Sequence, residues 1–252
     1  MWRFATARAP GTLHLKNGLP CQDSLSCAIP ANRTFVAAVA DGAGSARMAE
    51  VGAHTAVQTI VRSVTAAFLR GDADPVSMLT EAAAEARDRL AVIAREHATE
   101  VRELACTLLA VIAGPQSKNA LQIGDGVIVL GDDGSDWRWA FWPQHGEYAN
   151  TTHFLTDEDA TAFMQVEGLG ETVSDIALTT DGLERLALHY ASKSVYHPFF
   201  DGIFAPLHQT DGEGEIPRLS VGLADFLRSE RTSARTDDDV SLVIATRRPQ
   251  VP

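Results

Sequence analysis

The chain has 252 residues, 45% hydrophobic and 21% charged, with 33 Asp plus Glu against 21 Lys plus Arg and a net charge of −12. That length and composition support a large buried core and exclude disorder over most of the chain. The acidic balance argues against a partner recognised through a nucleic-acid backbone, and no Pro-, Gly- or Ser-rich linker divides the middle, so residues 1–252 are expected to form a single domain.

In chain order, the apolar run Thr34 to Ala40 predicts a buried strand that ends on Asp41-Gly42. Val57, Ile60, Val61, Val64 and Phe68 share one face of a helix within Arg47 to Arg70, which Gly71 ends. Asp74-Pro75 supplies an N-cap and first-turn proline for a second helix striped by Leu79, Ala83, Ala86, Leu90 and Ile93. Leu104 to Ala113, Ala120 to Ile123, Val127 to Leu130 and Trp137 to Trp142 read as an antiparallel meander. Gly124-Asp125-Gly126 and Gly131-Asp132-Asp133-Gly134 are its hairpin turns. Val173 to Thr179 is a strand leading into Thr180-Asp181-Gly182 and a short helix at Leu183 to His189. Ser220 to Arg231 is a last helix, and Val240 to Thr246 a last strand. Tyr190 to Glu215 gives no clear signal beyond a loop region or surface insertion. Strands in two runs with helices between and after them predict an α+β class with mostly antiparallel sheets.

Cys21, Cys27 and Cys106 have neither an even count nor zinc-site spacing, which fits a reducing cytoplasm. The first 18 residues lack the apolar segment of a signal peptide, and the longest apolar stretch, Leu104 to Gly114, is too short to span a bilayer. The expectation is a soluble cytoplasmic protein with no membrane or nucleic-acid partner.

Three strands carry an aspartate at a terminus: Asp41, Asp181 and Asp238. Asp125 lies in a turn. Taken singly, each Asp-Gly pair reads as a plain turn, most of all Asp125 in its hairpin setting. Together they can converge at neighbouring strand ends, where Mg²⁺ or Mn²⁺ takes oxygen ligands. The triplet Asp237-Asp238-Asp239 repels itself unless solvated or metal-bound.

CQDS at 21–24, VADGAGSA at 39–46, ACTLLAVI at 105–112, IGDG at 123–126, TTDGL at 179–183 and DDDVSLVIA at 237–245 resemble, in order, the motifs of the metal-dependent protein phosphatase 2C family. GTLHLKNGLPCQDS and GEYANTTHFL (146–155) resemble a compact bacterial branch of it. The resemblance implies a four-layer αββα sandwich with a binuclear Mg²⁺ or Mn²⁺ centre at one edge. It also implies that Asp41 bridges the ions, the Gly42 carbonyl ligates one of them, and Asp181 and Asp238 hold the other. Asp23 would act nearby through water, Asp125 would mark a third and weaker metal position, and Thr107 would pack and make a local hydrogen bond. The implied activity is hydrolysis of phosphoserine and phosphothreonine in proteins, opposing a bacterial protein kinase, by water activated between two cations.

The chain departs from the pattern at three places. Ala43 stands where some eukaryotic members have a proton-donating histidine, and Gln22 where many have glutamate, which favours Mn²⁺ over Mg²⁺. Gly18, Leu19 and Pro20 replace the phosphate-gripping arginine, leaving His14 or Lys16 as substitutes, with His14 the catalytic candidate. Two other readings stand beside the enzyme. One is a catalytically silent pseudophosphatase that binds a phosphoprotein or signalling partner. The other is a carboxylate-metal nuclease, which fits the ions but not the charge of −12. Thr156 to Asp159 reads as a helix start, and Trp137, Trp139 and Trp142 as packing.

Overall fold

Strand segments with no exposed residue, such as FVAAVA and VSLVIAT, need a cover on both faces, and the chain provides it by stacking two sheets between two helical layers. The computed structural model describes residues 1–30, 33–72, 74–132, 136–144 and 152–247. The N-terminal part runs β1 (Arg3–Ala9), α1 (Thr12–Asn17), β2 (Ser24–Ala28), β3 (Phe35–Ala40), α2 (Ala49–Arg70) and α3 (Pro75–Glu96). Next come β4 (Leu108–Ala113), β5 (Lys118–Ile123), β6 (Val127–Asp132), β7 (Asp136–Trp139), α4 (Ala160–Phe163), β8 (Gln165–Gly168) and β9 (Asp175–Thr179). The rest comprises α5 (Glu184–Ala187), β10 (Leu188–His189), β11 (Ser194–Val195), α6 (His197–His208), β12 (Gly214–Glu215), α7 (Pro217–Leu227), α8 (Glu230–Ser233) and β13 (Val240–Thr246).

One sheet has the order β2-β3-β4-β5-β8 and the other β12-β1-β13-β9-β6-β7. Every pairing within them is antiparallel except β1 with β12. Trp2, Phe35, Val39, Leu109, Ile128, Leu178 and Val243 fill the space between the sheets. Outside the first sheet, α2 and α3 pack Ile60, Val64, Leu79 and Leu90 against Leu108 and Ile112. Outside the second, Phe200, Phe204 and Leu207 of α6 and Leu223 of α7 pack with Trp137 and Leu242. This is the expected αββα sandwich.

Several expectations need correction. The four runs from Leu104 do not form one meander: β4 and β5 belong to the first sheet, β6 and β7 to the second. Gly124-Asp125-Gly126 is therefore a crossing between sheets. Both flanking strands are buried on both faces, so each is consumed by its own sheet and its helical cover. The run from Leu104 also breaks, with a 3-10 turn at Val101–Leu104 before β4. The segment Tyr190 to Glu215 contains α6, whose Phe199, Phe200, Phe204 and Leu207 are core, so it is structural. The helix expected at Ser220 to Arg231 begins at Pro217 and is interrupted between α7 and α8. Strand β1 had no forecast. Among the tryptophans, Trp137 is buried against Phe200 and Phe204, while Trp139 is exposed. Asp133 and Gly134 of the second expected turn, and residues 146–151 of GEYANTTHFL, lie outside the described residues. No helix among the described residues is long and apolar enough to cross a membrane.

Candidate metal centre

Strand register brings the acids together. Ser24 pairs with Ala40, so Asp23, just before β2, stands beside Asp41, just after β3. Val127 pairs with Thr179, so Asp125, two residues before β6, meets Asp181, two residues after β9. Leu242 pairs with the same Thr179, which brings the approach to β13, Asp238 and Asp239, to that corner. All these termini open at one end of the space between the sheets.

There Asp41, Asp125 and Asp181 each bring a carboxylate oxygen within 4.8 Å of both others. Asp125 thus belongs to the tight cluster, although its turn looked ordinary in sequence. Asp238 stands outside that triplet but close enough for its charge to raise the proton affinity of both Asp41 and Asp181. For Asp41 and Asp181 burial is the main cause, and the neighbouring carboxylates add to it. Asp41 is held well above the usual carboxylate range, Asp181 is pushed up to about 8 and Asp23 to about 7. Asp238 also moves up, through burial first, with the Asp239 amide's hydrogen bond opposing the shift and the Asp239 charge adding to it. Glu184, three residues after Asp181, was missed in sequence. Burial and then the Asp125 charge push it to about 7.

A hard divalent cation fits this set. Its oxygens are acceptors only, and Gln22 Oε1, Asp23 Oδ1 and Asp181 Oδ1 are buried without a hydrogen-bond partner among the described residues. A bound cation reverses the local electrostatics, favouring the ionised carboxylates that burial alone disfavours. The Gly42 carbonyl is also open to such a role. Thr107 N donates to Asp41 O (2.8 Å) and Ala43 N to Ala105 O (2.9 Å), so the bridge opposite Cys106 leaves Gly42's own carbonyl outside the ladder. Only glycine fits here, because a Cβ would lie 2.8 Å from the backbone of Ala49 and from the Gln22 carbonyl.

A polar framework fixes the acids. Thr107 Oγ1 accepts from the Asp41 amide at 3.0 Å, the local hydrogen bond expected of it. Thr180 Oγ1 donates to Asp23 Oδ2 at 2.8 Å and accepts from the Ser241 amide at 3.1 Å. Asp239 is buried and accepts from the amides of Gly11 and Gln22, with Oδ2 also 2.9 Å from His14 Nδ1. Sequence reading singled out Asp238 of the triplet and missed the task of Asp239. Its one signal was a third acid directly before an apolar strand. Lys16 forms no ion pair among the described residues, whereas Arg8 donates to the Asp23 carbonyl, placing a guanidinium beside CQDS.

The family model described as Protein phosphatase 2C matches residues 10–228. The chain is 35% identical over 252 residues to serine/threonine-protein phosphatase 3 of Escherichia coli (strain K12), spanning 97% of this chain and 98% of that one. The chain belongs to the protein phosphatase 2C family. As a protein phosphatase 2C it is a protein-serine/threonine phosphatase by class. Its fold matches PppA of Pseudomonas aeruginosa, described as a key regulatory component of T6SS (TM-score 0.66, 16% identity, 97% of each chain). It also matches the serine/threonine phosphatase of Staphylococcus aureus (TM-score 0.63, 12% identity, 99% of this chain and 96% of that one).

Within this protein phosphatase 2C, burial keeps the three thiols protonated. Burial pushes Cys106 up to about 12 and raises Cys21 and Cys27 further.

Proposed function

We propose that the chain is a cytoplasmic phosphatase that hydrolyses phosphoserine and phosphothreonine in proteins with two Mg²⁺ or Mn²⁺ ions, opposing a protein kinase. The observation that carries this reading is the partly buried carboxylate triplet, Asp41, Asp125 and Asp181, which gathers within 4.8 Å, with the proton affinities of Asp41 and Asp181 raised. Like charges held this close, away from full solvation, are costly without a counter-ion. In this reading Asp41, Asp181, Asp238 and the Gly42 carbonyl would hold the two ions. Asp125 holds a third position.

Bound there, the cations would lower the pKa of a nearby water and offset charge on the phosphoryl oxygens. Asp23, fixed by the Thr180 hydroxyl, aims its other oxygen into the centre as a proton acceptor for the attacking water. His14 is oriented by Asp239 and delivers a proton from its other ring nitrogen to the departing serine or threonine oxygen. A carboxylate that fixes one ring nitrogen sets which nitrogen faces the substrate. Arg8, at the Asp23 carbonyl, supports the phosphoryl group's charge.

The test is Asp238→Asn, assayed on a phosphothreonine peptide with Mn²⁺. Turnover is expected to fall at least about a hundredfold while the metal-free fold gains stability, because one repelling charge is gone. Unchanged turnover overturns the assignment. A folded wild-type protein that binds phosphopeptide without cleaving it restores the silent binding module.

A further inference from the structure

We propose that the cavity between α1 and the α7–α8 corner is a subsite for one apolar side chain of the phosphoprotein substrate, next to the phosphorylated residue; this rests on the phosphatase reading above. The cavity measures about 270 Å³ and Asp238, one of the acids proposed to hold metal, forms part of its wall, so the cavity borders that acid. A phosphoresidue held at the acids therefore carries its neighbours past this opening. The volume falls just short of the about 300–1,000 Å³ of pockets that take whole small ligands. It suits a single leucine, methionine or phenylalanine side chain.

The walls select for apolarity. Leu15 of α1, Leu227 at the end of α7, Val240 and Pro10 supply hydrocarbon. Of the hydroxyls in the wall, Thr232 donates to the Phe226 carbonyl (2.9 Å) and Thr236 accepts from the Asp238 amide (3.2 Å); Thr12, Ser233 and Arg228 also line the cavity.

Helix α1 points the same way independently. None of its residues is buried, yet Leu13 and Leu15 are 51% and 62% exposed, with Leu19 just beyond at 46%. The helix is held by polar bonds instead, Leu13 N to the Asp237 carbonyl (3.1 Å) and His14 to Asp239 (2.9 Å). Of these leucines Leu15 lines the cavity, so its exposed side chain offers apolar surface that the folded chain itself does not cover.

The experiment measures kcat/KM with Mn²⁺ for alanine-background phosphothreonine peptides carrying one leucine at each of the three positions on either side. Wild-type protein is compared with Leu15→Glu and Ser233→Phe, which charge and fill the cavity from opposite exposed walls. One leucine position is expected to raise kcat/KM at least about tenfold over the all-alanine peptide, chiefly through KM, and both variants to bring that ratio near one. Turnover of every peptide without preference, or a preference that survives both variants, overturns the subsite alone. No turnover of any peptide overturns the phosphatase reading, and the subsite with it.

Discussion

Asp238 and Asp239 are sequence neighbours with different tasks, and the difference lies in where the chain turns into β13. Asp238 faces the acid cluster, and Asp239 points back to tie down Gly11, Gln22 and His14. Replacing Asp239 by Asn is expected to lower kcat about 10- to 100-fold, the usual range for a residue acting through a neighbour. His14→Gln separates a proton donor from a merely structural histidine. On a phosphothreonine peptide kcat should fall about a hundredfold or more, but little on para-nitrophenyl phosphate, whose leaving group departs without a proton. Equal losses on both substrates contradict the donor role. Gln22, whose side-chain oxygen has no hydrogen-bond partner among the described residues, is the proposed determinant of metal preference. A titration of activity should favour Mn²⁺ over Mg²⁺ in wild type, and Gln22→Glu should narrow the gap.

The strands deliver the acids and the helices hold the strands, so two kinds of element damage should be distinguishable. Phe204→Ala in α6 removes a fully buried ring that contacts Trp137 at 4.7 Å. It should destabilise the protein by about 3–5 kcal/mol in denaturant unfolding, with activity per folded molecule kept. Gly42→Ala pushes on the Ala49 and Gln22 backbones at the end of β3 and should instead lose activity out of proportion to stability. This contrast parallels what was legible in the sequence. β3, β13, α2 and α3 were readable because each carries an unambiguous period and a terminator, with Asp74 indeed accepting from the Val76 amide. Asp41, Asp181 and Asp238 stood out because strand ends are visible locally. Asp125 looked like a hairpin because which sheet a strand joins is a tertiary choice, invisible in a four-residue window. Asp239, Thr180 and Arg8 act on partners far along the chain, His14 and Asp239 being 225 residues apart. Strand β1, RFATARA, was hidden by its alanines and charges, since buried edges of apolar pattern are weak when side chains are small.

At the scale of the whole molecule, the acid cluster couples stability to pH and metal. Asp23 and Asp181 have folded-state values raised to about 7 and about 8. A raised carboxyl keeps its proton in the folded state where the unfolded chain has lost it. Its stabilising effect is therefore complete below the ordinary carboxylate range and fades as pH rises through the folded values. The Tm of EDTA-treated protein should accordingly fall between pH 5 and pH 8. Mn²⁺ competes with protons for the same oxygens, so it should raise Tm more at pH 8 than at pH 5. A metal-free Tm that rises over this range contradicts the buried cluster.

The central claim is that these acids bind divalent cations that hydrolyse a phosphomonoester. The most direct measurement is hydrolysis of para-nitrophenyl phosphate by protein of verified fold, first with Mn²⁺, then with excess EDTA, then with Mn²⁺ restored. The account predicts turnover that EDTA abolishes and the metal brings back. Folded protein that stays silent with both Mn²⁺ and Mg²⁺, or turnover indifferent to EDTA, would contradict it.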